Sequence, residues 1–269
     1  MLVAYRPRNN VSLHTTDGRS MVTQQQVSDE QVTRASELVS ELEHEIRSFV
    51  EQVSDGPFVR EVRAGTFPLD GIRFVHLNHY HLIVNDMSNL NVYVAKARNE
   101  QEMLFFHFMA TEEKNHFESV FLLNKGLGLE PDEVRAFQPH SACLLRTNYF
   151  SRLAQYGTPG EIALAILLNF PVWAGGAKRE AEGLKRHYGL GNPVPGGDQF
   201  DTDILDRFED ATEGFREQAL RIVATDLLTP GSKAGLRRAG IWAANYEAMV
   251  WQAYYEQGRR YAERMEKAR

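Results

Sequence analysis

Glu113 and His116 stand three residues apart in the run from Met109 to Leu123. On a helix, positions i and i+3 meet on one face, so the two side chains can touch. That pairing suits two chemistries. The carboxylate can orient the imidazole for proton transfer. Alternatively the two can ligate a metal, since helical bundles hold iron or manganese through Glu-x-x-His. A plain surface ion pair, worth a few tenths of a kcal/mol, is the bland reading. Met109, Val120 and Leu123 share the face, which favours burial and a functional role.

A second face carries Phe74, Asn78, His81, Asn85, Ser88 and Val92 at spacings of three or four, with four of the six polar. A polar stripe inside a bundle needs hydrogen-bond partners, and a ligand is one candidate beside a satisfied core or a solvated face. On this reading Asn78, Asn85 and Ser88 bind substrate and His81 exchanges protons. His76 and His79 share a face that His81 does not, so no three-histidine metal site is expected. Glu247 sits between Tyr246 and Trp251 among apolar residues. A buried carboxylate titrates nearer neutrality unless it is paired, which suits an acid or base. Glu113, His116, His81 and Glu247 are therefore the expected catalytic groups. Trp173, Tyr246 and Phe208 are the expected aromatic wall of the pocket.

These residues require helices to position them. Ser28 to Gln31 forms a capping box ahead of a helical pattern over 29–53, which Pro57 is expected to end. Further helices are expected over 70–97, 100–125, 140–156 and 202–227, with a short piece opened by Pro131 and a last helix over 232–266. Thr158-Pro159-Gly160-Glu161 starts a helix that runs to about Tyr188, with a kink expected at Pro171. Gly191 to Gly197 reads as a loop, and no strand or repeat is evident. The expected fold is an all-α bundle of about seven helices. Residues 28–269 form its single domain, and residues 1–27 are expected to be a flexible arm.

The composition narrows the function. The 269 residues are 43% hydrophobic and 25% charged, which is ordinary for a globular chain. The net charge of -6, with no basic run, argues against nucleic acid. No stretch approaches eighteen consecutive apolar residues, so no membrane span is expected. The single cysteine, Cys143, fits a reducing, cytoplasmic setting. A small molecule is the expected partner, with a homodimer left open.

Three stretches carry a family resemblance. Asn245 to Tyr254 is similar to the Tyr-Glu-x-Met-Phe-Trp run near the C-terminus of TenA. Ala163 to Trp173 resembles the Leu-Leu-Pro-Cys-x-Trp helix of the same family. Glu113-Lys114-Asn115-His116, with the following turn at 126–133, resembles the Glu-x-x-His helix of the family's diiron oxidases. In order and spacing the three are similar to the haem-oxygenase-like superfamily that contains TenA and PqqC. The resemblance implies a haem-oxygenase-like helical bundle and a role in small-molecule biosynthesis.

The departures limit what carries over. TenA's nucleophilic cysteine would fall near Asn169 to Pro171, where no cysteine stands, so thiolate hydrolysis is disfavoured. TenA's acidic residue on the second helix falls at Asn78, and its tyrosine at His81. The diiron members' later His, Asp and His would fall at Phe208, Thr212 and Phe215, none of them a metal ligand. Another register offers Asp206, Asp210 and Glu213, which are expected to face solvent. The remaining glutamate of that set is replaced by Trp173 or Ala174. The expectation is thus an oxidase or oxygenase of TenA/PqqC type, using dioxygen without a tightly bound cofactor. One alternative is an iron-dependent oxidase with a rearranged set centred on Glu113 and His116. Another is a non-catalytic ligand-binding or interaction protein on the same fold.

Overall fold

The computed structural model describes residues 27–194, 200–206 and 212–269. These form eleven α-helices: α1 (Asp29–Glu45), α2 (Arg47–Ser54), α3 (Pro57–Ala64), α4 (Leu69–Lys96), α5 (Glu100–Gly126), α6 (Pro131–Ala136), α7 (Leu145–Tyr156), α8 (Pro159–His187), α9 (Asp203–Asp206), α10 (Thr212–Leu227) and α11 (Ser232–Ala268). A 3-10 turn at Ser141–Leu144 precedes α7. Seven of the helices have twelve residues or more, and no strand occurs among the described residues. The chain is an all-α bundle.

Four long helices build the frame. Helix α8 packs on α11, α10, α3 and α2, while α4 packs on α5, α11 and α7. By length and composition α8 alone could cross a bilayer, but 61% of its apolar window is buried within the bundle. Its apolarity is therefore that of a core helix touched on several sides.

The elements differ from expectation at three places. The expected 29–53 helix breaks at Ile46 into α1 and α2. Pro57 does not simply end a helix; it takes the first position of α3, where its missing N–H costs nothing. The stretch 140–156 divides into the 3-10 turn and α7. Within the expected 202–227 helix, α9 and α10 are described, and residues 207–211 between them lie outside the described residues. Helix α8 runs on unbroken through Pro171.

One clamp sets the starts of α5 and α8 and the end of α10. Asp226, only 4% exposed, accepts from Thr158 Oγ1 and from Gly160 N (3.0 Å). It also pairs with Arg98 Nη1 at 2.7 Å, and Arg98 in turn grips Glu102. A Cβ at Gly160 would lie 2.4 Å from the Asp226 carboxylate, so only glycine admits the acid so close. Through this clamp the Glu113–His116 helix and the Asn169–Trp173 helix share one origin. Asp226→Ala should lower the unfolding free energy by about 2–4 kcal/mol with an unchanged urea m-value. A loss under about 0.5 kcal/mol would show the clamp to be incidental.

Candidate functional site

The helices line a partly open pocket of about 110 Å³. An engineered cavity of roughly 150 Å³ admits a benzene ring, so the space suits a small, monocyclic ligand. Helix α4 supplies His79, Leu82, Ile83, Asp86, Asn89, Leu90 and Tyr93. Those positions follow a helical period, with one face turned inward. Helix α5 adds Met109, Glu113 and His116; α7 adds Arg146 and Phe150; α8 adds Ile166, Asn169, Phe170 and Trp173. Ile204 of α9 and Glu247 of α11 complete the wall.

Arg146 is the centre of the polar wall. Its Nη2 lies 2.5 Å from Asp86 Oδ2, and its Nε lies 3.0 Å from Glu247 Oε2. The Nε contact is an ion pair without hydrogen-bond alignment. Burial alone would favour a neutral guanidine, but Asp86, Glu247 and Glu113 outweigh it and raise the group's proton affinity. Asp86 Oδ1 accepts from Thr147 Oγ1 at 2.6 Å. Glu247 accepts from Asn169 Nδ2 at 2.9 Å and from Trp251 Nε1 at 2.8 Å. Trp251 can reach it because Gly176 leaves room: a Cβ there would lie 2.6 Å from the indole.

The opposite wall differs. Glu113 Oε2 lies 3.2 Å from His116 Nδ1, and both side chains are about 15% exposed. His79 is buried, its ring 4.8 Å from Trp173. Burial, then the charges of His76, Arg146 and His116, holds its pKa well below the usual histidine value, so it is neutral.

The structure brings Glu113, His116, Glu247 and Trp173 to one cavity. It does not bring His81, Asn78, Asn85, Ser88 or Tyr246 there. The cavity face of α4 is the expected stripe moved by one residue: 79, 82, 86, 89 and 93 in place of 78, 81, 85, 88 and 92. The polar residues of that stripe have structural partners instead. Asn78 donates to Phe74 O and accepts from His140 N, fastening the 3-10 turn. Asn85 bonds Ser151 Oγ at 3.2 Å in a row of α4–α7 links continued by Asn89 to Thr147 O and Tyr93 to Phe150 O. Ser88 is exposed and returns its hydroxyl to Val84 O.

His81 faces Phe137 and Tyr80, and partial burial lowers its pKa despite backbone hydrogen bonds at Val134 and Phe137. His79 holds the place in the cavity that His81 was expected to hold. Tyr246 lies against Tyr149, ring centres 5.1 Å apart, outside the wall. Phe208 and Asp210 lie outside the described residues.

Asp86, Arg146, Asn169 and His79 were missed as site residues. Their signal was opposite charges at core-facing positions of two helices. Arg146 is in phase with Tyr149, Phe150 and Leu153, and Asp86 with Ile83 and Leu90.

A diiron set does not fit the described residues. No three of His, Cys, Asp and Glu converge as metal ligands among them. Asp86 and Glu247 already serve Arg146, and Phe215 is stacked on Phe105 at 5.5 Å. Asp206 pairs with Lys185 at 2.6 Å, away from the cavity wall. Cys143 is buried outside that wall, and burial pushes its thiol up to about 12, so no thiolate serves the site.

Burial, reinforced by Glu113, raises Asp86 from the ordinary 3.8 to about 6, against the pull of Arg146 and Thr147. The folded chain therefore binds this proton more tightly than the unfolded chain. Asp86's contribution to stability is fully present below pH 3.8 and is lost as pH rises through about 6. Two units correspond to about 3 kcal/mol. Urea unfolding of the wild type and Asp86→Asn should thus show the wild type losing up to about 3 kcal/mol relative to the variant between pH 4 and 7. A difference that is flat, or that grows with pH, contradicts the assignment.

The comparisons agree with this architecture. No curated protein matches the chain in sequence. A TenA homologue from P. horikoshii is 20% identical, with a TM-score of 0.64 over 82% of this chain and 99% of its own. A TenA homologue from Pseudomonas syringae is 10% identical, with a TM-score of 0.66 over 84% of this chain and 96% of its own. A Shewanella denitrificans domain with a haem-oxygenase-like fold is 12% identical, with a TM-score of 0.62 over 84% and 92%. At these identities the likeness concerns the fold. The sequence signature of the TENA/THI-4/PQQC family matches residues 43–257, most of the chain and all of the residues that wall the cavity. The chain belongs to the TENA/THI-4/PQQC family.

Proposed function

We propose that the chain is an enzyme that binds a small organic molecule in this cavity and moves protons on it through Glu113 and His116. The observation that carries the reading is the contrast between the two walls. Asp86 and Glu247 are held by Arg146, Thr147, Asn169 and Trp251. Glu113 instead holds one nitrogen of a cavity-facing imidazole. A carboxylate that orients an imidazole fixes its tautomer and stabilises its charged form.

The cavity also selects by charge and size. Three carboxylates, Asp86, Glu113 and Glu247, face one fixed cation, Arg146. That excess favours a substrate that carries or gains positive charge, such as an amine, an amidine or a protonated nitrogen heterocycle. Guanidinium Nη1 makes no hydrogen bond to a described residue and is the donor left for a substrate oxygen.

The reaction class proposed is oxidation without a bound metal. His116 takes a proton from the substrate. The resulting electron-rich conjugate base passes two electrons to dioxygen, a second proton leaves the substrate, and both protons join the reduced oxygen, giving oxidised substrate and hydrogen peroxide. Hydrolysis through a thiolate finds no support, because Cys143 is buried outside the cavity wall.

The test is a panel of monocyclic amines, amidines and aminopyrimidines. Thermal stabilisation is read first, then oxygen uptake and product. For a compound that turns over, His116→Ala and Glu113→Gln should each lower kcat by about 100-fold or more, as loss of a general acid–base group does. The melting temperature should shift by only a few degrees. Stabilisation without turnover would make the chain a binding protein. Full activity in His116→Ala would remove the pair from the mechanism.

A further inference from the structure

Behind the cavity wall lies a buried ionisable pair that the chemistry above does not use. His76 of α4 and Glu180 of α8 are 0% and 2% exposed, and His76 Nε2 lies 3.1 Å from Glu180 Oε1. An ionised carboxylate only accepts, so Nε2 carries the hydrogen and Nδ1 carries a lone pair. That Nδ1 is fully buried and has no hydrogen-bond partner in the described structure. A buried imidazole kept only for packing would have both nitrogens satisfied or be replaced by an apolar side chain. An open basic nitrogen backed by a buried carboxylate is instead arranged to receive a proton.

The cavity is one side chain away. His79 follows His76 by three residues on the same helical face, with ring centres 6.2 Å apart and planes tilted by 43°. His79 lines the cavity, and neither of its nitrogens is hydrogen-bonded to a described residue. Transfer between the two rings requires a rotation of the His79 ring or a bridging water.

We propose that His76, backed by Glu180, is a buried proton acceptor for the cavity and is reached through His79. A proton arriving on one His79 nitrogen leaves from the other to His76 Nδ1. His76 becomes an imidazolium held by the Glu180 carboxylate, and no electrons move. Burial, then the charge of His76 once protonated and that of Arg146, disfavours a proton on His79, so it passes the proton on instead of storing it. The groups around the relay are Glu180 on α8, Arg146 on α7, His116 on α5, Tyr254 and Glu247 on α11, and Cys143 in the 3-10 turn. Burial holds Tyr254 and Cys143 protonated at neutral pH, so neither competes for the proton.

The pair and the Glu113–His116 dyad then lie on different walls. Together they take up the two protons that leave the substrate and return them to the reduced dioxygen as hydrogen peroxide forms. The inference rests on the proton-transfer reading of the cavity, but its test needs no substrate and so fails independently of it.

The test is ¹⁵N NMR of the full chain with labelled histidine between pH 5 and 9. His76 should be the Nε2–H tautomer at high pH and gain a proton on Nδ1 as pH falls. Glu180→Gln removes the counter-charge and should lower the His76 midpoint by about one unit or more. His79→Phe keeps a ring against Trp173 and should slow exchange of the His76 Nδ1 proton with water by about tenfold or more, without moving the midpoint to the same degree. His79→Gln serves the same purpose should the phenylalanine disturb folding. A His76 that stays neutral to pH 5, a midpoint indifferent to Glu180→Gln, or an exchange rate indifferent to both His79 variants would each overturn the proposal.

Discussion

The site depends on one buried cation. Arg146 reaches from α7 to Asp86 on α4 and Glu247 on α11, so three helices meet at a single guanidinium. Taking such charges out of water costs several kcal/mol per ion, and mutual attraction offsets this only when the remaining donors and acceptors are satisfied. Thr147, Asn169 and Trp251 supply that satisfaction. A cluster of this kind is a weak source of stability, and its use lies in specifying geometry. It fixes which faces of α4, α7 and α11 look into the cavity and at what separation.

Those fixed faces also explain what the sequence could and could not tell. The fold was legible because capping boxes at Ser28 and Thr158, the glycine and proline turns, and the helical periods are local signals. The Glu113–His116 face was legible because its apolar companions, Val120 and Leu123, leave one choice of phase and are fully buried. Helix α4 offered no such choice. It is buried nearly all round, so its polar stripe was ambiguous by one residue, a rotation of about 100° on a helix. The stripe at Asn78, Asn85 and Ser88 is polar for local reasons: it fastens a turn and a neighbouring helix, or it meets solvent. The true face mixes Leu82, Ile83 and Leu90 with Asp86 and Asn89, and a count of polar residues passes it over. Arg146 was hidden for another reason. Its partners lie 60 and 101 positions away, and only tertiary packing brings them together.

Charge and proton traffic are divided between the walls. The α4–α7–α11 side is clamped by Arg146, which holds the carboxylates of Asp86 and Glu247 in place. On the proposed reading the α5 side carries the imidazole that moves protons. The α8 side contributes Trp173, whose ring lies against His79 and Trp251 and closes the floor with apolar surface. A small cavity with fixed charge on one side and a movable proton on the other is preorganised for acid–base chemistry, because little has to rearrange as charge develops. It is poorly suited to a thiolate nucleophile or a pair of irons, since the positions those would need hold Asn169, Trp173 and Phe215.

The central claim is that the charge of Arg146 is what lets the carboxylates be buried together. The direct measurement is the ¹³C titration of the Asp86 carboxyl in the wild type and in Arg146→Gln. The account predicts a wild-type midpoint of about 6. In Arg146→Gln, where the compensating cation is gone, the midpoint should rise by about one unit or more. A wild-type midpoint at the ordinary 3.8, or the same midpoint in both proteins, would contradict it.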